Sequence, residues 1–157
     1  MKEKMSVIKK KHSQVIEGLS NLLADTYLLA LKTQNFHWNV SGPHFHSYHL
    51  MFEAQYNQLA DSVDVIAERI RALKAPAPAT FHEYLERTSL KEAGRHLSAD
   101  QMIRELASDH EAMAKGIDHL FHVVEDDKDE VTLDLLIQRK NEHDKTAWML
   151  RSSHSRV

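Results

Sequence analysis

Hydrophobic side chains recur along most of the chain at alternating spacings of three and four residues, the pattern of helices that bury one face. The first stripe predicts a helix over residues 13–39, and it consists of Val15, Leu19, Leu22, Thr26, Leu29, Thr33 and Phe36. The second stripe predicts a helix over residues 45–73, and it consists of Phe45, His49, Phe52, Tyr56, Leu59, Val63, Ile66, Ile70 and Leu73. Ser41-Gly42-Pro43 between them predicts a turn that places the two helices side by side.

The pattern stops at residues 74–79, where two prolines interrupt it. Thr80 and Glu83 then form a capping box that predicts a short helix over residues 82–88. Ser98 and Gln101 form a second capping box, which opens a third long helix. Its stripe consists of Ile103, Leu106, His110, Met113, Ile117, Leu120 and Val124. Residues 125–130 are largely acidic and predict a loop.

The last helix has a less regular pattern, because Lys140 and His143 interrupt its apolar positions. Those positions are Leu133, Leu136, Ile137, Ala147, Trp148 and Leu150. Two long helical hairpins joined by a long connection predict an all-α, ferritin-like four-helix bundle with a short helix in the crossover.

Composition agrees with one helical domain, since the 157 residues include only four glycines and three prolines. We expect a basic N-terminal tail over residues 1–12 and the bundle over residues 13–157. The absence of cysteine excludes disulfides and thiolate metal sites. No apolar run follows the first lysines, and none is long enough for a membrane span, so we expect a cytoplasmic protein with no membrane partner.

Histidines and carboxylates on the first two predicted helices have the spacing of metal ligands. His49 and Glu53 are four residues apart, as are Asp64 and Glu68, so each pair points from one helix face. His37 ends the preceding helix and lies across the turn. Imidazole and carboxylate ligands without thiolate suit iron or manganese. Either pair alone also fits a solvated, arginine-partnered helix face and a core histidine.

The two pairs cannot hold one metal within a single chain, because about three helical turns, or about 16 Å, separate them. A second copy of the helix packed antiparallel about a twofold axis would bring His49 and Glu53 of one chain opposite Asp64 and Glu68 of the other. The spacing therefore predicts a site between subunits.

Three groups of residues give this set a wider context: Asn35-Phe36-His37-Trp38-Asn39-Val40, then His49 with Glu53, then Asp64-Val65-Ile66-Ala67-Glu68-Arg69. Together they resemble the signature of the Dps branch of the ferritin superfamily, the DNA-protecting miniferritins. The resemblance covers nearly the whole chain beyond about residue 12. It extends through Pro76-Ala77-Pro78, Thr88-Ser89-Leu90-Lys91-Glu92 and Ala147-Trp148-Met149-Leu150.

The resemblance implies a hollow dodecamer with iron-oxidising centres between twofold-related subunits. His37, His49 and Glu53 would come from one subunit, and Asp64 and Glu68 from its neighbour. The implied activity is ferroxidase: hydrogen peroxide oxidises Fe(II), ferric mineral is stored inside, and DNA is protected from oxidative damage. The resemblance also implies that Trp38 takes up an electron hole, whereas simple packing explains this residue equally well.

Acidic residues near the start of the last helix leave two interpretations open. The resemblance makes Asp129 and Asp134 the best candidates for an acidic Fe(II) pore, whereas acids at a helix N-terminus are also stabilising by themselves. An intrasubunit diiron site of the kind built from Glu-x-x-His motifs is not expected, because no such motif occurs.

Two other functions remain possible. A nucleoid-associated oligomer with little ferroxidase activity would bind DNA through a basic N-terminus, although a solvated helix start explains the same charges. The basic residues are Lys2, Lys4, Lys9, Lys10, Lys11 and, at the other end, Arg151 and Arg156. A purely structural oligomer with a vestigial site is the third hypothesis. Among the remaining histidines, we expect His44 and His46 to be exposed and His110 to be a hydrogen-bonded core residue.

Overall fold

The computed structural model describes residues 2–154, and it describes side chains from residue 12 onward. Its helices are α1 (Lys2–Asn39), α2 (Phe45–Ala72), α3 (Phe81–Arg87), α4 (Ala99–Asp127) and α5 (Glu130–Ser153). These residues include no β-strand, so the predicted all-α class is confirmed. Helix α1 begins at Lys2 and not near residue 13 as predicted. The predicted basic side chains of residues 2–11 and Arg156 lie outside the described part.

The four long helices form the predicted bundle. Helix α1 packs against α2 and α4, and α4 packs against α5. Helices α2 and α5 close the bundle but pack least closely of these neighbours. The short helix α3 lies in the crossover against α1, as expected. Over the described residues, every helix falls short of the length and apolarity that a bilayer crossing requires.

The core confirms the stripes predicted for α1 and α4. All seven α1 positions are buried, including Thr26 and Thr33, whose hydroxyls donate to the backbone carbonyls of Leu22 and Leu29. All seven α4 positions are buried as well, including His110. Burial of these stripes is the main stabilising contribution, at about 1.5–3 kcal/mol for each large apolar side chain.

The stripe predicted for α2 is only partly buried. Phe45 is exposed, and His49, Tyr56 and Val63 are half-buried. The face that points into the core consists of Phe52, Gln55, Leu59, Ser62, Ile66 and Ile70. The predicted stripe therefore combined a true core face with a neighbouring face that lies beside α1.

Helix α5 lacked a clear sequence pattern because polar residues occupy much of its buried face. That face consists of Thr132, Leu136, Arg139, His143, Thr146, Ala147 and Leu150. Ile137 and Trp148 are exposed, although the sequence pattern predicts them among the apolar positions.

The helix ends confirm both predicted capping boxes, at Thr80 with Glu83 and at Ser98 with Gln101. The acidic loop predicted over residues 125–130 is wrong for most of its length, because α4 continues to Asp127. Lys128 ends α4 in the left-handed conformation, with φ of 58°. The next residue, Asp129, is already the N-cap of α5. One left-handed residue suffices to reverse the chain between two helices.

Candidate metal centre

His37 and His49 meet where α1 ends and α2 begins. His37 lies in the last turn of α1, and His49 lies in the second turn of α2. The connection between the helices contains Gly42, whose φ of 114° is unfavourable for any residue with a Cβ atom. The tight turn thus holds the two histidines against each other.

The two imidazoles orient each other through the backbone. Nδ1 of His37 lies 2.8 Å from the carbonyl oxygen of His49, and Nδ1 of His49 lies 2.9 Å from the carbonyl oxygen of His37. A carbonyl oxygen only accepts hydrogen bonds, so Nδ1 must carry the hydrogen in both rings. In the neutral rings, Nε2 then keeps its lone pair, which is the form that binds a metal.

Aromatic packing fixes the planes of both rings. The rings of His37 and His49 stack with centroids 3.8 Å apart and planes 16° apart. Phe45 stacks on His49 at 5.0 Å, and Tyr56 meets His37 edge-on at 5.2 Å. His37 is only 7% exposed. Sequence reasoning placed Phe45 and Tyr56 on the core stripe and did not foresee this supporting role.

Glu53 lies one helical turn beyond His49 and is half-buried. It makes no ion pair with any described residue. Its carboxylate therefore lies on the same helix as one imidazole, with its charge uncompensated by a nearby cation. This combination of nitrogen and oxygen donors suits Fe(II).

Asp64 and Glu68 are exposed on the later turns of α2. The neighbouring Arg69 does not pair with them, because its Nη2 donates to Asp129 at 2.7 Å and its Nε donates to Thr132 at 2.8 Å. Arg69 therefore does not partner this acidic face, but the exposure of both carboxylates still fits a solvated helix face. These carboxylates remain available to a ligand or to another subunit.

One chain does not bring the five predicted ligands together. No group of three or more histidine, aspartate or glutamate side chains among residues 12–154 is arranged to hold a metal ion. His37 and His49 are in contact, but the acidic pair lies farther along α2, about 16 Å from Glu53 by helix geometry.

Of the two acidic residues considered for a pore, Asp129 already has partners within the chain. As the N-cap of α5, it accepts from the backbone N–H and the hydroxyl of Thr132 and from Arg69. Burial opposes ionisation, but the hydrogen bonds from Thr132 and Arg69 outweigh it and lower the pKa of Asp129. Asp134 is exposed and accepts a hydrogen bond from Gln138.

The other aromatic and histidine positions near the site are on the surface. His44 and His46 are exposed, as expected. Trp38 is 63% exposed, so packing within its own subunit does not account for it.

His110, by contrast, is buried and hydrogen-bonded to His143, which confirms its expected place in the core.

Known proteins match the chain over most of its length. Residues 16–156 match the family model described as Ferritin-like domain. The chain is 40% identical over 141 residues to DNA protection during starvation protein 2 of Bacillus anthracis, covering 90% of this chain and 97% of the relative.

Solved structures also match the chain over most of its length. Dps from Staphylococcus aureus superposes with a TM-score of 0.90 at 34% identity, covering 92% of this chain and 97% of the other. The Dps protein from Vibrio cholerae superposes with a TM-score of 0.87 at 26% identity, covering 91% and 90%. That protein is described as a member of a broad superfamily of ferritin-like diiron-carboxylate proteins.

Proposed function

Because the chain belongs to the Dps family of ferritin-like proteins, we propose that it oxidises Fe(II) with hydrogen peroxide at sites between subunits. It stores the ferric product inside a hollow homo-oligomer, a dodecamer. Consumption of Fe(II) and peroxide together protects DNA from oxidative damage. The observation that carries this proposal is the reciprocal orientation of His37 and His49.

The proposed centre takes His37, His49 and Glu53 from one subunit and Asp64 and Glu68 from the subunit related by a twofold axis. Two preoriented Nε2 lone pairs and three carboxylates make a mixed nitrogen and oxygen set without thiolate, which suits iron. The spacing of the two pairs on α2 supports an antiparallel arrangement of the two helices.

Exposed apolar side chains support assembly into an oligomer. Val65 follows Asp64 directly and is exposed. Leu31 of α1 is exposed as well and lines one groove together with Phe81 and Leu85. On α3, Phe81 is 70% exposed and Leu85 is exposed as well. Large exposed apolar residues that lie near one another are typical of surfaces that pack against another protein.

The chemistry of the centre follows from its ligands. Two Fe(II) ions each give up one electron, the oxygen–oxygen bond of peroxide breaks, and both oxygens take up protons to form water. Delivery of both electrons together avoids release of a hydroxyl radical. Carboxylate oxygens are hard ligands that favour Fe(III), so Glu53, Asp64 and Glu68 assist the oxidation. Hydrolysis of Fe(III) then gives the stored mineral.

Iron entry is proposed to involve the acidic residues at the start of α5. Asp134 is the better candidate, because its exposed carboxylate has no cationic partner among the described residues. Asp129 contributes less to such a pore, since Arg69 already offsets its charge.

Trp38 is proposed to protect the centre from electron holes. It adjoins His37 in sequence and is largely exposed within one subunit, so a partner subunit can cover it. An indole beside the iron site is oxidised more readily than the aliphatic residues around it.

DNA binding is the second candidate function, favoured by the five lysines among residues 2–11. Several weak basic segments on one oligomer can bind a polyanion by multivalency. A role on chromosomal DNA would place the protein in the cytoplasm, at the nucleoid.

The experiment begins with anaerobic addition of Fe(II) to the purified protein. Substoichiometric peroxide is then injected while ferric absorbance and trapped hydroxyl radicals are followed. Rapid oxidation of two Fe(II) per peroxide without radicals is expected, and Asp64→Ala/Glu68→Ala should abolish it. Asp61→Ala, an exposed acidic position on the same helix, is the matched control and should retain it. Oxidation no faster than in buffer would refute the proposal.

A further inference from the structure

A layer of buried polar side chains inside the bundle takes no part in the proposed iron centre. It contains Gln55 of α2, His110 of α4, and Arg139 and His143 of α5, and each of these residues is more than nine-tenths buried. Five of their side-chain atoms have no hydrogen-bond partner in the described protein. They are Nε2 and Oε1 of Gln55, Nε2 of His110, Nε2 of His143 and Nε of Arg139. Buried polar groups are rarely left unpaired, so this layer requires an explanation.

The two histidines form a defined pair. Nδ1 of His110 and Nδ1 of His143 are 2.9 Å apart, which requires one ring to donate and the other to accept. The accepting ring, when neutral, carries its hydrogen on Nε2. The pair therefore presents one buried N–H donor, whichever ring carries it.

Arg139 gives the layer a positive charge. It makes no ion pair with a described residue, and its nearest compensating group is Glu142, which is half-buried and accepts from Gln58. Burial, followed by the charge of Arg139, lowers the pKa of His110 to about 3. The histidines therefore stay neutral at pH 7, and the guanidinium is offset by Glu142 from beyond ion-pair distance. A buried charge of this kind is costly unless an opposite charge lies nearby.

We propose that the polar layer of Gln55, His110, Arg139 and His143 is an internal binding site for a small inorganic anion of halide or nitrate size. The donors are Nε of Arg139, the amide of Gln55 and the N–H of the histidine pair. A cation is disfavoured at the same place, because Arg139 is fixed one helical turn from His143. The site is separate from the proposed iron centre, so it neither requires nor excludes ferroxidase activity.

The groove between α2 and α5 provides access to this layer. It has a volume of about 650 Å3, and its lining includes Gln55, Gln58, Glu142 and Thr146. Gln55 is buried at the base of the groove and also belongs to the polar layer. The groove therefore leads from solvent to Gln55, whereas His110, Arg139 and His143 are not among its lining residues.

Bromide is a suitable probe, because its anomalous scattering identifies it in a crystal. Crystals of the full-length protein grown in sodium bromide should show an anomalous peak beside Arg139. Thermal unfolding should be compared in sodium bromide and sodium sulfate at equal ionic strength. The change from sulfate to bromide should raise the unfolding temperature of the wild type by about 2–4 °C more than that of Arg139→Met. General salt effects act on both proteins and cancel in this comparison.

Arg151→Met is the matched control, because Arg151 is exposed and pairs with Glu111 at the surface. It should keep the bromide dependence of the wild type. The inference is overturned if the density beside Arg139 is water alone, if a transition metal gives the anomalous signal, or if Arg139→Met keeps the bromide dependence. The crystal decides the question even if Arg139→Met does not fold.

Discussion

His37 and His49 each donate a hydrogen bond from Nδ1 to the other's backbone carbonyl, at 2.8 and 2.9 Å. This reciprocal pair ties the end of α1 to the start of α2 and leaves both Nε2 atoms for a metal. Metal-binding histidines commonly use their second nitrogen in this way, because the hydrogen bond fixes both tautomer and ring orientation. Here the orienting groups are backbone atoms, so no side-chain substitution removes them directly.

The intersubunit centre predicts complementation between two inactive variants. His37→Ala/His49→Ala keeps the acidic pair, and Asp64→Ala/Glu68→Ala keeps the histidines. A twofold dimer with one subunit of each variant would contain one intact centre and one centre that lacks both the two histidines and the acidic pair. Random mixing of subunits should therefore restore about a quarter of wild-type Fe(II) oxidation, measured by ferric absorbance after unfolding and reassembly together.

The controls are each variant reassembled alone, which should remain inactive. If the mixture is also inactive while its oligomeric state matches that of the wild type, then the histidines and the acidic pair do not form one centre across the interface. Because one chain does not bring the two sets together, that result would contradict the proposed ligand set as well as the twofold arrangement.

Acid should destabilise the bundle through the buried histidine pair. Burial lowers the pKa values of His110 and His143, so the unfolded chain binds protons that the folded chain does not. Stability is therefore full above the unfolded pKa of about 6.5 and is lost as pH falls toward the folded pKa of His110, about 3. The free energy of unfolding should fall by about 1.4 kcal/mol per pH unit for each histidine.

Urea unfolding of the protein at pH 7, 6 and 5 measures this slope. His110→Leu/His143→Leu should flatten it, because neither side chain can then take up a proton on unfolding. His119→Leu, at an exposed position, should leave it unchanged. An equally steep slope in the double variant would assign the acid sensitivity to other groups.

Glycine at position 74 should stabilise the protein. Lys74 has a φ of 66° and follows the end of α2, where its N–H donates to the carbonyl oxygen of Arg71. A Cβ atom is unfavourable in this conformation, and glycine is the usual residue there. Lys74→Gly should raise the free energy of unfolding by about 0.5–1 kcal/mol in urea titrations. Lys74→Ala retains the Cβ atom and should give little gain; an equal gain would point to the lost charge.

Substitution of Asp129 should mainly lower stability, whereas substitution of Asp134 should mainly slow iron uptake. Asp129→Ala removes the N-cap of α5 and the partner of Arg69, so it should cost about 1–2 kcal/mol of unfolding free energy. Asp134→Ala should cost less than about 0.5 kcal/mol but slow iron uptake at low Fe(II). Urea unfolding and stopped-flow ferric absorbance measure the two effects. Slower uptake in Asp129→Ala alone would transfer the pore role to Asp129.

The sequence predicted the helices where apolar periodicity was strong and failed where buried polar residues replaced it. The α1 and α4 stripes were correct at every position, since burial of large aliphatic side chains dominates there. On α5, Arg139 and His143 are buried, so periodicity alone could not identify that face. The ligand spacing on α2 was visible, but the hydrogen bonds between His37 and His49 involve backbone carbonyls, which no sequence pattern encodes.

DNA binding should depend on the five lysines among residues 2–11. Retardation of duplex DNA by the intact oligomer should weaken steeply with salt, because each neutralised phosphate releases a counterion. Removal of residues 1–11 should abolish retardation at low salt while Fe(II) oxidation continues. Replacing the five lysines with glutamine is the sharper variant, because it keeps the length of α1 and removes only charge. DNA binding that persists in the glutamine variant would locate the contact elsewhere, whereas failure of the intact protein to bind at low salt would leave iron oxidation as the means of protecting DNA.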